Sequence, residues 1–242
     1  MTEAIHAREI VKKLGRHPAT ALGLALRRDA EDEIAAWLIA SVLLGGRTKP
    51  TTAMASFRAL AARGATRLDA IGNTPPGLLI GILEAAHHPG AESVVGLLQR
   101  LTRGLGKTPT ATLSAIAAAS DGLEDLGAKL SALASGFGAQ RITRFLQPLR
   151  DSWPAAEELP LDAAACAAAC HLGWIGEDDA DPSALRGFLA REEEKEGATP
   201  IPLADLEAAL TKLGRRACRR GRFERCPLGD RCPGVPFDAV SF

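Results

Sequence analysis

Apolar residues recur along this chain at intervals of three and four, the spacing that lines one face of an α-helix. Residues 7–28 predict one or two helices, broken near "GRHPAT". Residues 30–45, "AEDEIAAWLIASVLLG", predict the most apolar helix, with Glu31, Asp32 and Glu33 at its positive N-terminal end and Gly45-Gly46 as its stop. The segment "KPTTAMASFRALAAR" places Pro50 in a first turn, where its missing N–H costs nothing. Thr74-Pro75 predicts a capped start for 75–86; helices over 90–103 and 109–119 follow. Asp121 to Glu124 reads as a capping box for 122–134. Further helices are predicted over 139–151, 163–173, 182–196 (opened by Asp181-Pro182) and 203–213, with a Trp/Pro break at "SWPAAEELP". That makes eleven or twelve short helices, no strand and no fixed-period repeat, so the expected class is all-α and not a solenoid.

Composition agrees with the pattern. The 242 residues are 46% apolar, rich in Ala and Leu, with no Tyr and only seven Phe. Ala and Leu lose least on entering a helix. The length suits one large or two small domains. Formal net charge is zero, so no overall field draws the chain to a polyanion. Charge is nonetheless unevenly placed: residues 211–232 hold eight Lys/Arg against Glu224 and Asp230, a net of +6, and residues 177–196 hold eight acids against three bases, a net of −5. Such a division marks either a nucleic-acid-facing edge or two solvated faces that offset one another. The opening "MTEAIHAREIVKKL" carries early acids and no apolar core of a signal segment, and no apolar run is long enough to span a membrane. The expectation is a cytoplasmic protein whose five cysteines are reduced, so that clustered ones are ligands more readily than disulfides.

Three stretches carry candidate chemistry. In "LSALASGFGAQRITRFL", Leu130 to Leu146, two helical patterns are separated by Ser135-Gly136-Phe137-Gly138. The glycines permit positive φ and close backbone approach, and the second helix then opens with outward N–H groups that suit a phosphate. A plain helical hairpin with a glycine turn uses the same residues. In "LPLDAAA", Asp162 opens an Ala-rich helix, which by itself is the position of an N-cap. In "CRRGRFERCPLGDRC", Cys218, Cys226 and Cys232 crowd into fifteen residues, as in a metal loop, although tetrahedral zinc and cubane iron–sulfur sites use four ligands.

Taken in this order, the three stretches resemble the helix-hairpin-helix DNA glycosylases, in particular the endonuclease III branch. That family carries an L-x-G-x-G hairpin, a catalytic Asp about twenty residues on, and a C-terminal cysteine loop holding a [4Fe–4S] cluster. Here Asp162 follows Gln140 by 22 residues. "RFLQPLRDSW…LPLD" is similar to the family's "FLRD…(I/V)P(V/I)D". "WLIASVLLGGRT" resembles its "LLIAVLLSAQTT", and "HHPGAESVVGLLQRL" its helix beginning "KAENI". "CPL-x3-CP" follows the family's third cysteine in the same way. The resemblance covers about residues 30–232. It implies a two-lobed helical fold: a central domain over 29–143, the hairpin motif over about 122–150, and a second lobe from 1–28 plus 144–242 with the cysteine loop at 218–232. It places Asp162 in the cleft.

The chain also departs from the pattern. The family's nucleophilic Lys falls at Gln140, whose amide cannot form a Schiff base, so the resemblance implies base excision without Lys-dependent strand cleavage. Ala163, Ala164 and Ala165 replace polar residues that follow the family's Asp. The wedge glutamine corresponds to Arg47, which can fill the gap of a flipped base and bind phosphate. The small residue closing the hairpin pattern is Ile142. The family's cysteine spacing, C-x6-C-x2-C-x5-C, becomes C-x7-C-x5-C, with the second ligand at Phe223. Cys166 and Cys170, four apart on the Asp162 helix, are the only other thiols. The loop therefore holds an iron–sulfur cluster with a substitute fourth ligand such as Asp230, or zinc on three cysteines and one other donor, or no metal. Two functions remain open: a monofunctional glycosylase, or a non-catalytic paralogue that kept the fold. For the first the implied site is Asp162 and Gln140 for chemistry, Gly136, Gly138, Arg141 and Arg47 on DNA, and Cys218, Cys226 and Cys232 on metal. The implied partner is double-stranded DNA, damaged or abasic, bound by a monomer away from membranes. An all-α domain with no nucleic-acid role is the third reading.

Overall fold

The computed structural model describes residues 6–176, 181–196, 200–221 and 226–229. Among these there are thirteen α-helices, three single 3₁₀ turns and no strand, so the chain is all-α. Contacts divide it into two units, 18–159 and the pair of segments 1–17 and 160–242. The resemblance implies boundaries at 28/29 and 143/144 instead.

The larger unit runs α2 (Pro18–Ala21), α3 (Glu31–Leu43), α4 (Pro50–Ala61), α5 (Leu68–Asn73), α6 (Pro76–Ala85), α7 (Ala91–Leu105), α8 (Pro109–Ala118), α9 (Leu123–Ala132) and α10 (Ala139–Leu146). Helix α3 is its centre because it has almost no polar face: every residue from Ile34 to Leu43 is buried. It touches α4, α5, α7, α8 and α10. Trp37 is fully buried, and its indole Nε1–H donates to the Phe145 carbonyl at 2.9 Å, which satisfies the ring's only polar atom. Phe145 in turn meets Trp153 edge-on at 5.5 Å between ring centroids, and the Ser152 hydroxyl donates to the Leu26 carbonyl. These contacts tie 18–28 and 144–159 into the larger unit.

The smaller unit holds α1 (Ala7–Leu14), α11 (Ala163–His171), α12 (Pro182–Glu196) and α13 (Leu203–Arg216). Helices α11 and α13 lie so close that a Cβ on Gly214 would sit 1.8 Å from the Ala164 carbonyl oxygen. Ala-rich α11 and Gly214 thus read as a pair of small surfaces made for backbone contact. α1 is fastened to α13 by Lys212 Nζ donating to the Leu14 carbonyl at 2.9 Å and by the His17 amide donating to buried Asp205 Oδ1 at 2.9 Å.

Local chemistry explains where sequence boundaries moved. Short α5 escaped notice: six residues are too few to show a period. Thr74 does not cap the helix after it; its hydroxyl donates back to the Ala70 carbonyl at 2.7 Å and finishes α5, while Pro75 is the N-cap of α6. The expected capping box does not form: Gly122, which has no side chain, is the N-cap of α9, and the Asp121 amide instead donates to Asp125 Oδ2 at 3.1 Å. The predicted helix 139–151 stops at Leu146 and continues as a 3₁₀ turn over Gln147–Leu149, where Pro148 has no N–H to offer an α-helical ladder. Asp181 caps α12 as expected, its Oδ1 accepting the Ser183 amide at 2.8 Å.

Candidate functional site

Helices α9 and α10 touch one another and are joined by residues 133–138. Two features give this turn its shape. Gly136 has φ +93°, a backbone conformation that a side chain resists, and Phe137 beside it is 1% exposed. The Phe137 amide donates to the Ala134 carbonyl at 3.0 Å, and its ring lies 6.5 Å from that of Phe145. The turn is thus pinned by one apolar anchor pointing inward, while Ser135, Gly136, Gly138, Ala139 and Gln140 face solvent. Gly138 differs from Gly136. It is the N-cap of α10 with ordinary extended angles, and a Cβ there would meet nothing within 4 Å. Its lack of a side chain is not required by the fold; it leaves the first turn of α10 open. No side chain caps that turn; the Arg141 amide donates to the Gly138 carbonyl at 2.9 Å, which leaves the Ala139 and Gln140 amides as the donors that open α10.

The structure brings a second sequence-selected segment to this turn. Helix α3 ends at Leu43, and Gly45, Gly46 and exposed Arg47 form the turn after it. Arg141, from the first turn of α10, lies between the two loops. Its Nη1 donates to the Gly136 carbonyl at 2.6 Å, and its Nε lies 3.3 Å from where a Cβ on Gly45 would be. The Arg141 Nε itself is buried without a hydrogen-bond partner. Arg141 therefore braces the hairpin turn against the Arg47 turn, rather than simply projecting outward. Its partner on the other side is Arg100 of α7, whose Nε donates to the Ser135 carbonyl at 3.3 Å. Arg100 carried no sequence signal, since it stands 35 residues from the turn that it supports. Close helix contact makes the arrangement possible: Gly104 of α7 lets the Leu133 carbonyl approach to 2.2 Å of a would-be Cβ. His88, 5% exposed, adds a fastening by placing Nε2 at 2.9 Å from the Leu43 carbonyl at the end of α3. Ile142, in the pattern's small position, is buried in the core of the same unit.

Asp162 belongs to the smaller unit. It is the N-cap of α11: Oδ1 accepts the Ala164 amide at 2.8 Å. Oδ2 accepts from Arg215 Nη2, also at 2.8 Å. Its own amide donates to Oε1 of Glu207, a carboxylate that is 2% exposed. Each oxygen of Asp162 thus has a structural partner, and the side chain is 22% exposed. Of the alanines that follow, Ala163 is exposed, Ala164 lies against Gly214 of α13, and Ala165 is packed in the core of the smaller unit. Gln140 is exposed at the start of α10 in the larger unit.

Of the candidate metal ligands, Cys218 and Cys226 are buried at 4% and 8% exposure, in an apolar cluster with Leu213, Ala217 and Leu228. Cys232, Phe223 and Asp230 lie outside the described residues. Cys166 and Cys170 are half-buried thiols on α11. Burial, then neighbouring Cys170, Glu207 and Asp162, pushes Cys166 up to about 11, and Cys170 Sγ donates to the Gly176 carbonyl at 3.2 Å. Among the described residues no three Cys, His or carboxylate side chains converge on a metal position. The described donors alone do not make up a four-ligand cluster or zinc site.

Among the described residues no helix is long and apolar enough to cross a membrane. No family model, curated protein or solved structure matches the chain.

Proposed function

We propose that this is a DNA-repair protein of the glycosylase type that grips the phosphate backbone of double-stranded DNA, damaged or abasic, through the α9–α10 turn. The observation that carries the reading is the open first turn of α10: uncapped amides, a bare Gly138 and an inward-anchored Phe137, beside the turn that bears Arg47. Backbone amides at a helix start hold a phosphate without reading sequence, and exposed Arg47 adds charge that can wedge a duplex. In this reading Gln140 at the family's Lys position makes base removal monofunctional, since an amide supplies no nucleophile. Asp162 would stabilise the positive charge that develops on the sugar.

A second reading, a DNA-binding paralogue without catalysis, is favoured by one specific observation: both Asp162 oxygens are engaged, one in capping α11 and one with Arg215. Incubation with duplexes carrying uracil, oxidised pyrimidine, alkylated purine or mismatched adenine separates the two. Release of one base, lost in Asp162→Asn, supports the glycosylase. Tight binding of an abasic duplex with no release from any substrate supports the paralogue. Absence of both release and binding removes the nucleic-acid reading altogether.

A further inference from the structure

A polar groove of about 400 Å³ opens on the larger unit between α5, α7 and α8, lined by Asp69, Asn73, Gln99, Arg103, Lys107 and Pro109 among others. Its charge is unbalanced in one direction. The Asp69 carboxylate is already held by Arg67, through Nε to Oδ1 at 3.0 Å and Nη2 to Oδ2 at 3.3 Å. The Arg103 and Lys107 side chains, both exposed, have no ion-pair or hydrogen-bond partner among the described residues. Two uncompensated cations thus share one concavity, where the surrounding low-dielectric protein focuses their field. The start of ten-residue α8 lies at the same place: Pro109 lines the groove, and the Thr108 side chain makes no capping hydrogen bond. Amide side chains complete the wall. Gln99 Nε2 donates to the Thr74 carbonyl at 3.2 Å, which orients its oxygen, and exposed Asn73 offers both donor and acceptor.

We propose that this groove is a binding site for a phosphate ester of mononucleotide size, with Arg103 and Lys107 on the phosphate and Asn73 and Gln99 on the sugar or base. The volume lies within the range of small-molecule sites. Guanidinium and ammonium groups supply charge-assisted bonds to phosphate oxygens, and the amides supply neutral ones to hydroxyls and ring nitrogens. The ester can come from a free nucleotide or from a nucleotide unit of a single strand; the chemistry recognised is the same. None of the hairpin residues takes part, so the site stands independently of the function proposed above.

Titration calorimetry on the full chain at low salt tests it, with inorganic phosphate, adenosine monophosphate and a short oligothymidine as probes. The same titrations are run on the double variant Arg103→Gln, Lys107→Gln and on Gly138→Asp. The expected result is binding of the mononucleotide or of the oligonucleotide that weakens at least tenfold in the double variant and persists in Gly138→Asp. Binding of both probes identifies a free nucleotide as sufficient, and binding of the oligonucleotide alone identifies a strand. Failure of all three probes to bind overturns the proposal, as does binding that the double variant leaves unchanged. The two side chains are exposed, so circular dichroism should report the same fold for the variant; the charge reversal Arg103→Glu gives a second, independent perturbation.

Discussion

Replacing Asp162 separates its structural work from any chemistry. In Asp162→Ala the α11 N-cap is lost: the Ala164 amide loses its acceptor at 2.8 Å. Loss of such a cap costs about 0.5–2 kcal/mol. The ion pair to Arg215 is lost as well, but Arg215 is 67% exposed, so solvent limits that contribution to about 0.2–1 kcal/mol. Together the loss is about 0.7–3 kcal/mol. Asp162→Asn keeps a capping oxygen and loses only the charge, so its cost is about 1 kcal/mol or less. Urea denaturation followed by far-ultraviolet circular dichroism reads the difference. At a mid-range loss of about 2 kcal/mol and a slope of about 2 kcal/mol per molar urea, the alanine variant should lose about 1 M in midpoint and the asparagine variant about half of that or less. Equal loss in both variants would refute the capping argument, as would no loss in either. The comparison also protects the enzymatic test, because Asp162→Asn then removes the carboxylate charge from a protein that is still folded.

Three further outcomes follow from the geometry. Gly214→Ala should be severely destabilising, by about 3 kcal/mol or more, because the new methyl meets the Ala164 carbonyl and backbone cannot yield as a side chain would; a midpoint shift below about 1 kcal/mol contradicts this packing. Gly136→Ala should cost about 1–2 kcal/mol from its positive φ, whereas Gly138→Ala, at an extended position with free space, should cost about 1 kcal/mol or less, as a poorer N-cap; reversal of that order in thermal melts counts against the turn as described. Cys166 should be alkylated more slowly than an ordinary thiol at pH 8, with a rate that keeps rising toward pH 11, measured by mass spectrometry of the modified peptide. Its folded value stands above the ordinary 9.0, so the fold favours the neutral thiol: that contribution to stability is complete below pH 9 and is lost as pH climbs through about 11.

The all-α class was legible because Ala- and Leu-rich segments show the helical period directly, and Pro50, Pro109 and Pro182 mark first turns. The hairpin was legible for the same reason, with Gly136 and Phe137 at fixed places between two periodic runs. What sequence could not show was which residues brace it. Arg100, His88 and Gly104 stand 29 or more residues from the groups that they contact, and their roles depend on a carbonyl or a Cβ position that exists only after packing. Arg141 illustrates the limit most clearly. Its place after the hairpin glycines suggests a phosphate contact, yet its Nη1 donates to the Gly136 carbonyl and its Nε is buried. Asp162 shows the reverse case, in which the modest reading of an acid before an Ala-rich helix, an N-cap, describes an interaction that is present.

The central claim is that the open start of α10 holds a DNA phosphate, and Gly138→Asp tests it most directly. Aspartate is a favoured N-cap, and the space at Gly138 is free, so the substitution should leave the melting temperature unchanged or slightly raised. The same carboxylate would occupy the amides and repel an approaching phosphate. Fluorescence anisotropy on a duplex with an abasic-site analogue, across a salt series, should then show salt-sensitive binding by the wild-type chain that weakens about tenfold or more in Gly138→Asp. Undiminished binding by a fully folded Gly138→Asp variant, or no duplex binding by the wild-type chain at low salt, would contradict the account.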